Sequence, residues 1–382
     1  MGPPEPLIVD SSQTDRVIEA LHQLLGKNPR SVFIHDPARP GRLGGPLPDE
    51  PALVIETSGS TGTPKQVWLS PRALRFAAQT TAQKLGVPRV WWLALPLHYI
   101  AGVQVVLRAF VTESPLVIAP PKGSIVDKLL SDASALVSYA AQGRVVSTSL
   151  VPAQLSDLLH AADSGELTAE RLGVIDTVLV GGQRVDPALV EHARNRGLRI
   201  IRTYGAAETS GGCVWDGAPL PGVSVDVVDG RVAMSGPMLA GAYLGDEGDH
   251  EAFIERGGSR WFVSSDRGHI SGGVLSVTGR ADDVIVSGGL KVSASDIERV
   301  LREGAGLPDT LVLAIPHPRW GSVPVVFTTH PCELENVRSV TKSALGPAAQ
   351  PHAVISLESW PLLSSGKIDR TTLMERASKE LA

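Results

Sequence analysis

VVSTSLVPAQLSDLLHAADSGELTAERLGVIDTVLVGGQRVDPALVEHARNRGLRIIRTYG, residues 145–205, is the stretch whose reading decides the fold class. Three short runs rich in β-branched residues, VVSTS, DTVLVGG and LRIIRTYG, alternate with amphipathic segments. That alternation is the pattern of parallel strands joined by helical crossovers, an α/β arrangement. One crossover helix is expected to begin near Pro152. A second is framed over 187–196 by Asp186 as N-cap, Pro187 at the first helical position and Gly197 just past the end.

Upstream, VWWLALPLHYIAGVQVVL (90–107) is apolar over roughly the length of a membrane span. Pro96 and His98 interrupt it, so it reads as a buried strand, loop and helix. Beyond about residue 221 the pattern changes to short strands with glycine-rich turns, Gly272-Gly273 being a tight hairpin turn, which indicates a short antiparallel region. After Asp282 the order becomes hairpin, helix, strand, strand, helix, strand, helix, with Ser295 and Glu298 expected to form the capping box of the first helix. The expectation is a large N-terminal domain (1–281) with a mostly parallel sheet, followed by a small C-terminal α+β domain (282–382).

The 382 residues exceed one average domain and suffice for a sizeable core. A hydrophobic fraction of 43%, a charged fraction of 20% and a net charge of −5 describe a globular enzyme rather than a disordered chain or a nucleic-acid binder. Cys213 and Cys332 lie far apart without metal-ligand or disulfide spacing, which fits a reducing compartment. The opening MGPPEP lacks the regions of a signal peptide, so the expected location is cytoplasmic, with no membrane insertion and no nucleic-acid partner.

Four segments carry chemistry. ETSGSTGTPK (56–65) sits between the apolar strand ALVI and the short strand VWL, and its run of Ser58, Gly59, Ser60, Thr61, Gly62 and Thr63 suits an anion cradle. Backbone N–H groups and hydroxyls there can wrap a polyphosphate, with Lys65 supplying charge. It is not the P-loop of NTPases, which needs GxxxxGK[ST] opening a helix. TYGAAET (203–209) follows a parallel strand at its carboxyl end, where Tyr204 can stack on a base and Glu208 can hold Mg²⁺ beside phosphates. Ser264–Asp266 and GRADDVIVSGGLK (279–291) offer a carboxylate, Asp266, for ribose hydroxyls and a donor, Arg280. PLLSSGKIDR (361–370) presents Lys367 on a glycine before a helix. Singly, each admits a bland reading as a linker, a solvated loop or a charged turn.

In this order the four segments resemble the acyl-adenylate-forming superfamily of acyl-CoA ligases, carrier-protein adenylation domains and luciferases, over about residues 50–372. The resemblance implies that Ser58 to Thr63 and Lys65 contact the ATP phosphates, and that Gly181, Gly182, Tyr204 and Gly205 form the adenine slot. It further implies that Glu208 holds Mg²⁺ next to Thr209 and that Asp266 and Arg280 bind the ribose. Lys367, Glu208 and Lys65 would be the catalytic groups, and the small domain would turn about a hinge at Asp282 to bring Gly288, Gly289 and Lys291 to CoA. The cofactors implied are ATP, Mg²⁺ and CoA.

Within the superfamily LPLHYIAGVQ (95–104) and the short chain look most like 2-succinylbenzoate–CoA ligases of menaquinone synthesis, with His98 or Tyr99 facing the acid. Such a dicarboxylate needs a second cation, for which Arg184, Arg202 and Arg108 are candidates. Alternatives are another small-acid or aryl-acid CoA ligase, a stand-alone adenylation enzyme loading a carrier protein, or a catalytically silent binding protein. The chain also departs from the pattern: Gln66 replaces the glycine after the loop lysine, and Ser264-Ser265 replaces Thr-Gly. The early phosphate loop predicts a shortened N-terminal part, with a homodimer contact as one way to cover it.

Overall fold

The computed structural model describes residues 5–57, 65–86, 88–245, 249–281, 283–363, 366 and 368–381. It divides by packing into two units, one built from residues up to Asp226 with Ala233–Val263, the other from Val227–Val232, Ser264–Leu363 and Ile368 onward. The division falls inside the long strand Ser259–Ser271, earlier in the chain than residue 282. Asp282, the expected hinge, lies outside the described residues.

The first unit holds a seven-stranded sheet in the order Ala218–Pro219, Gly211–Trp215, Arg199–Ala206, Thr177–Val180, Val145–Leu150, Arg89–Leu93, Leu116–Ile118. The five strands from Arg199–Ala206 to Leu116–Ile118 are parallel. The crossovers form where the sequence places them: Pro152–Asp163 follows the first run, and Pro187–Asn195 is capped by Asp186, whose carboxylate accepts from Ala188 N–H at 2.8 Å. The apolar stretch resolves into the strand Arg89–Leu93, a loop and the helix Ile100–Val111. Among the described residues no helix is long and apolar enough to cross a membrane.

Because this sheet is covered on both faces, its central strands Arg89–Leu93, Val145–Leu150 and Thr177–Val180 are buried almost continuously rather than at alternate residues. Trp91 enters the core on one face, with Val103, Leu107 and Leu179. Trp92 enters the other, with Leu129, Leu155 and Val178. Leu7–Asp10, Val32–His35 and Leu53–Glu56 run parallel, joined antiparallel by Gln66–Leu69 and then Ala242–Tyr243, in a second, five-stranded sheet. The helix Thr14–Leu24 lays Val17, Leu21 and Leu24 into the same core as Trp91.

The second unit has the order the sequence predicts. A hairpin of Val284–Ser287 and Leu290–Ser293 precedes the helix Ala294–Gly304, the strands Thr310–His317 and Gly321–Thr328, the helix Leu334–Leu345, the strand Ala353–Ser356 and the helix Arg370–Glu380. Period-2 alternation puts Leu311, Leu313 and Phe327 against the last helix, and Val312 and Val326 against the other two. One capping assignment shifts. Ser293, not Ser295, accepts from Asp296 N–H at 3.2 Å, because the chain leaves strand geometry two residues earlier. Glu298 instead accepts from Val312 N–H at 3.0 Å and ties the helix to the sheet.

Candidate active site

The chain path through the large sheet marks where a ligand belongs. From Arg89–Leu93 it moves outward to Leu116–Ile118, then returns to the other side with Val145–Leu150 and continues to Thr177–Val180 and Arg199–Ala206. Connections therefore diverge between Arg89–Leu93 and Val145–Leu150, and a crevice opens beyond the carboxyl ends of strands at such a switch point. ALPLHY (94–99), Val151, Gly181-Gly182 and the turn after Ala206 all sit at those ends.

Parallel pairing of Val180 with Arg202 sets Gly181 beside Thr203, so close that a Cβ on Gly181 would lie 2.4 Å from Thr203 Oγ1. Gly205 likewise faces the hairpin partner strand, where a Cβ would meet the Gly211 carbonyl at 2.2 Å. Side chains at Gly181 and Gly205 would thus collide with neighbouring strands, and Gly182 adopts φ +79°.

Glu208 lies in the 3-10 turn Ala207–Thr209 and is buried. Thr209 caps that turn: its hydroxyl accepts from Ala206 N–H at 2.8 Å and donates to the Gly211 carbonyl at 2.9 Å. The Tyr243 hydroxyl donates to Glu208 Oε1 at 2.6 Å, and Lys65 Nζ stands 4.6 Å from the centroid of the same Tyr243 ring. Antiparallel pairing of Tyr243 with Val67 explains the meeting, since it carries the ring alongside the end of the phosphate loop. One tyrosine thus links two of the predicted catalytic groups. No local signal in the sequence marks Tyr243; it arrives through a two-residue strand 178 positions after Lys65.

Ser58 to Thr63 and Lys367 lie outside the described residues. The loop's base is defined: Thr57 N–H donates to the Lys65 carbonyl at 2.8 Å, closing the strands around it. Gln66, one of the departures from the expected pattern, is buried; its Nε2 donates to the Arg42 carbonyl and its Oε1 accepts from Gly44 N–H, each at 2.8 Å. The departure therefore secures the 42–44 segment.

His98 is buried against the N-terminal sheet. Its Nδ1 lies 2.7 Å from Ser11 Oγ and its Nε2 3.9 Å from Asp36, and the ring packs on Tyr99 with centroids 4.1 Å apart. Burial holds its pKa below the usual histidine value, partly offset by Asp36. This ring anchors the entrance of the helix Ile100–Val111 to the first strands.

Of the three candidate cations, Arg184 is exposed and Arg202 pairs with Asp216 at 2.9 Å near the surface. Arg108 is different. It is buried on the helix Ile100–Val111, its Nη1 donates to Ser149 Oγ at 3.1 Å, and its guanidinium carbon lies 5.3 Å from the Trp91 ring. Its Nε finds no hydrogen-bond partner among the described residues, and burial alone pushes its pKa down to about 9. One turn earlier on the same helix face, fully buried Gln104 has neither amide atom bonded among the described residues. Leaving such groups unsatisfied costs about 1–3 kcal/mol each, more when charged. Arg89, equally buried, shows the structural alternative: it donates to Ser147, Thr177 and the Leu85 and Gly86 carbonyls.

In the second unit, Asp266 and Arg280 are cross-strand partners with Nη1 and Oδ1 3.6 Å apart, both partly exposed. The Ser264 hydroxyl accepts from Asp266 N–H at 3.1 Å, orienting the aspartate. Gly288 and Gly289 form the hairpin turn with φ of +57° and +82°, which only glycine adopts at low cost, and Lys291 is exposed beside it. A cleft of about 680 Å³ next to this turn is lined by Leu290, Trp320, Arg338, Lys342 and His352.

Tyr243→Phe is expected to leave the fold intact but raise the Mg²⁺ concentration needed for half-maximal activity by about tenfold, the loss of one charge-assisted hydrogen bond at Glu208. A Mg²⁺ titration of ATP-dependent activity checks it; an unchanged midpoint would remove Tyr243 from the site.

The chain matches the family model described as AMP-binding enzyme over residues 9–244, starting about 40 residues before the span inferred from motifs alone. It is 34% identical over 384 residues to the "Probable 2-succinylbenzoate–CoA ligase" of Mycobacterium tuberculosis, covering 97% of each chain. Its structure is similar to Escherichia coli MenE with bound OSB-AMS, with a TM-score of 0.75, 22% identity and coverage of 100% of this chain and 89% of that one. It is also similar to O-succinylbenzoate coenzyme A synthetase from Bacillus subtilis in complex with ATP and magnesium, with a TM-score of 0.75, 19% identity and coverage of 98% and 90%. At those identities the structural likeness speaks to fold.

Proposed function

The chain belongs to the AMP-binding enzyme family, and from that membership we propose that it is an ATP-dependent acid–thiol ligase that adenylates 2-succinylbenzoate and transfers the acyl group to CoA. The observation that carries the choice of acid is the buried Arg108, which has no carboxylate partner among the described residues and donates to Ser149 near the carboxyl end of Val145–Leu150, a strand flanking the switch point. A benzoate with a succinyl arm has two carboxylates. One reacts; the other needs a cation in a place shielded from water, where a charge pair is strong.

In the first step the succinyl carboxylate attacks the α-phosphorus of ATP and pyrophosphate leaves. In the second the CoA thiol, losing its proton, attacks the acyl carbonyl and AMP leaves. Two anions must meet in the first step, so positioned cations lower its barrier. Lys65 supplies one at the phosphate loop and Lys367 the other, at the reacting oxygens. Tyr204 and Gly181-Gly182 bound the adenine, and Asp266 with Arg280 takes the ribose. A single buried carboxylate suits Mg²⁺, which binds through one or two protein carboxylates plus phosphates and water; Glu208, oriented by Tyr243, would hold it, and the ion would neutralise phosphate charge. Tyr99 faces the acid while His98 holds its loop. We read Asp282 as the pivot, and the Gly288-Gly289 turn with Lys291 as the element that serves CoA. ATP and CoA are cytoplasmic co-substrates, and we place the enzyme there.

The test is pyrophosphate release with ATP, Mg²⁺ and a panel of acids, with and without CoA. Release with 2-succinylbenzoate and a thioester on adding CoA are expected. Release only with an unrelated monocarboxylic acid would overturn the choice of substrate.

A further inference from the structure

We propose that Gln104 is a specificity-determining residue whose side-chain amide hydrogen-bonds an acceptor oxygen of the acid next to the carboxylate held by Arg108; for 2-succinylbenzoate this is the ketone oxygen of the succinyl arm. The inference rests on the dicarboxylate reading above. Gln104 occupies a helix whose neighbouring Val103, Val105, Val106 and Leu107 are all buried core residues. Neither its Oε1 nor its Nε2 has a hydrogen-bond partner among the described residues. Buried polar groups in folded proteins are bonded as a rule, and a glutamine serving structure alone would be satisfied within the fold, as Gln66 is.

Its place points to the acid. A Cβ on Gly211 would lie 3.3 Å from Gln104 Cγ, so the side chain passes over the first residue of Gly211–Trp215, the strand that follows the Glu208 turn. Arg108 follows one turn later, with Ser149 near the carboxyl end of Val145–Leu150. The order along the helix is therefore amide near the nucleotide-side turn, then guanidinium beyond it. In 2-succinylbenzoate the ketone and the ring carboxylate are ortho neighbours, and the ketone lies on the arm that leads to the reacting carboxylate. A guanidinium fork matches the carboxylate and an amide N–H matches the ketone oxygen, from positions one helical turn apart. The ligand class is an aromatic acid carrying a ketone-bearing acid arm ortho to a carboxylate.

The experiment compares Gln104→Leu with the wild-type enzyme, using pyrophosphate release with 2-succinylbenzoate and with the analogue in which a methylene replaces the ketone. The wild type is expected to prefer the ketone by about 10- to 100-fold in kcat/KM. In Gln104→Leu that preference disappears because KM for the ketone acid rises by about the same factor, while the methylene acid and the KM for ATP are unchanged. Apo thermal stability stays the same or rises, since an unsatisfied amide is removed. Gln104→Ala decides the question if the leucine variant fails to fold. Equal losses on both acids, or no wild-type preference, would overturn the role of Gln104 alone. Wild-type enzyme that activates other acids but neither of these two would overturn the dicarboxylate reading and this inference with it.

Discussion

Arg108→Met is expected to lower kcat/KM for 2-succinylbenzoate by about 10²–10³-fold, with the KM for ATP within about twofold of wild type. The size follows from what the guanidinium meets. Among the described residues its side chain donates to one serine hydroxyl and meets no acid, and burial pushes its pKa down to about 9. A substrate carboxylate arriving there completes a desolvated charge pair, whereas methionine leaves the carboxylate buried alone. The free enzyme responds oppositely: a buried cation without an acid is costly, so the methionine variant is expected to melt no lower than wild type. Arg108→Lys keeps the charge but not the planar fork, and its expected loss is intermediate. Loss of ATP affinity or of the fold in Arg108→Met, instead of acid affinity, would show the arginine to be structural.

Lys367→Ala is expected to reduce adenylation by at least about 10²–10³-fold, since removing one preorganised group that stabilises developing charge costs that much. Pyrophosphate exchange into ATP in the presence of the acid reads this step directly. Circular dichroism and melting of the variant should match wild type, because the sequence sets Lys367 after Gly366 in a polar stretch rather than in an apolar run. Unchanged exchange would sink the mechanism proposed here for carboxylate attack.

Much of this architecture is written in local pattern. Pro152, Asp186, Pro187 and Gly197 mark helix ends because capping and φ restriction act within a few residues. The second unit's element order follows from strand alternation and glycine turns, as Gly272-Gly273 and Gly288-Gly289 illustrate with four positive φ angles. Even the cap that moved, Ser293 for Ser295, moved by only two residues. The phosphate-loop, Glu208 and Asp266 segments are visible too, since the chemistry confines them to contiguous motifs.

Other features depend on chain segments that sequence distance hides. Tyr243 joins Lys65 to Glu208 only because Ala242–Tyr243 adds a strand beside Gln66–Leu69. His98 is set against Ser11 and Asp36, which directly follow the strands Leu7–Asp10 and Val32–His35 and lie more than 60 residues before it in the chain. The first 56 residues looked like a shortened cover; in the fold they supply three parallel strands and a helix of the main core.

The sequence by itself determined the α/β class, the order of elements and the nucleotide-handling motifs, because periodicity, caps and loop chemistry are properties of neighbouring residues. Only the tertiary structure separated Arg108 from Arg184 and Arg202 by burial and partners, and only it showed the buried amide of Gln104. Whether a polar side chain is satisfied depends on everything that folds over it: Arg89 finds four oxygens, Arg202 finds Asp216, and Arg108 Nε and the Gln104 amide find no partner among the described residues.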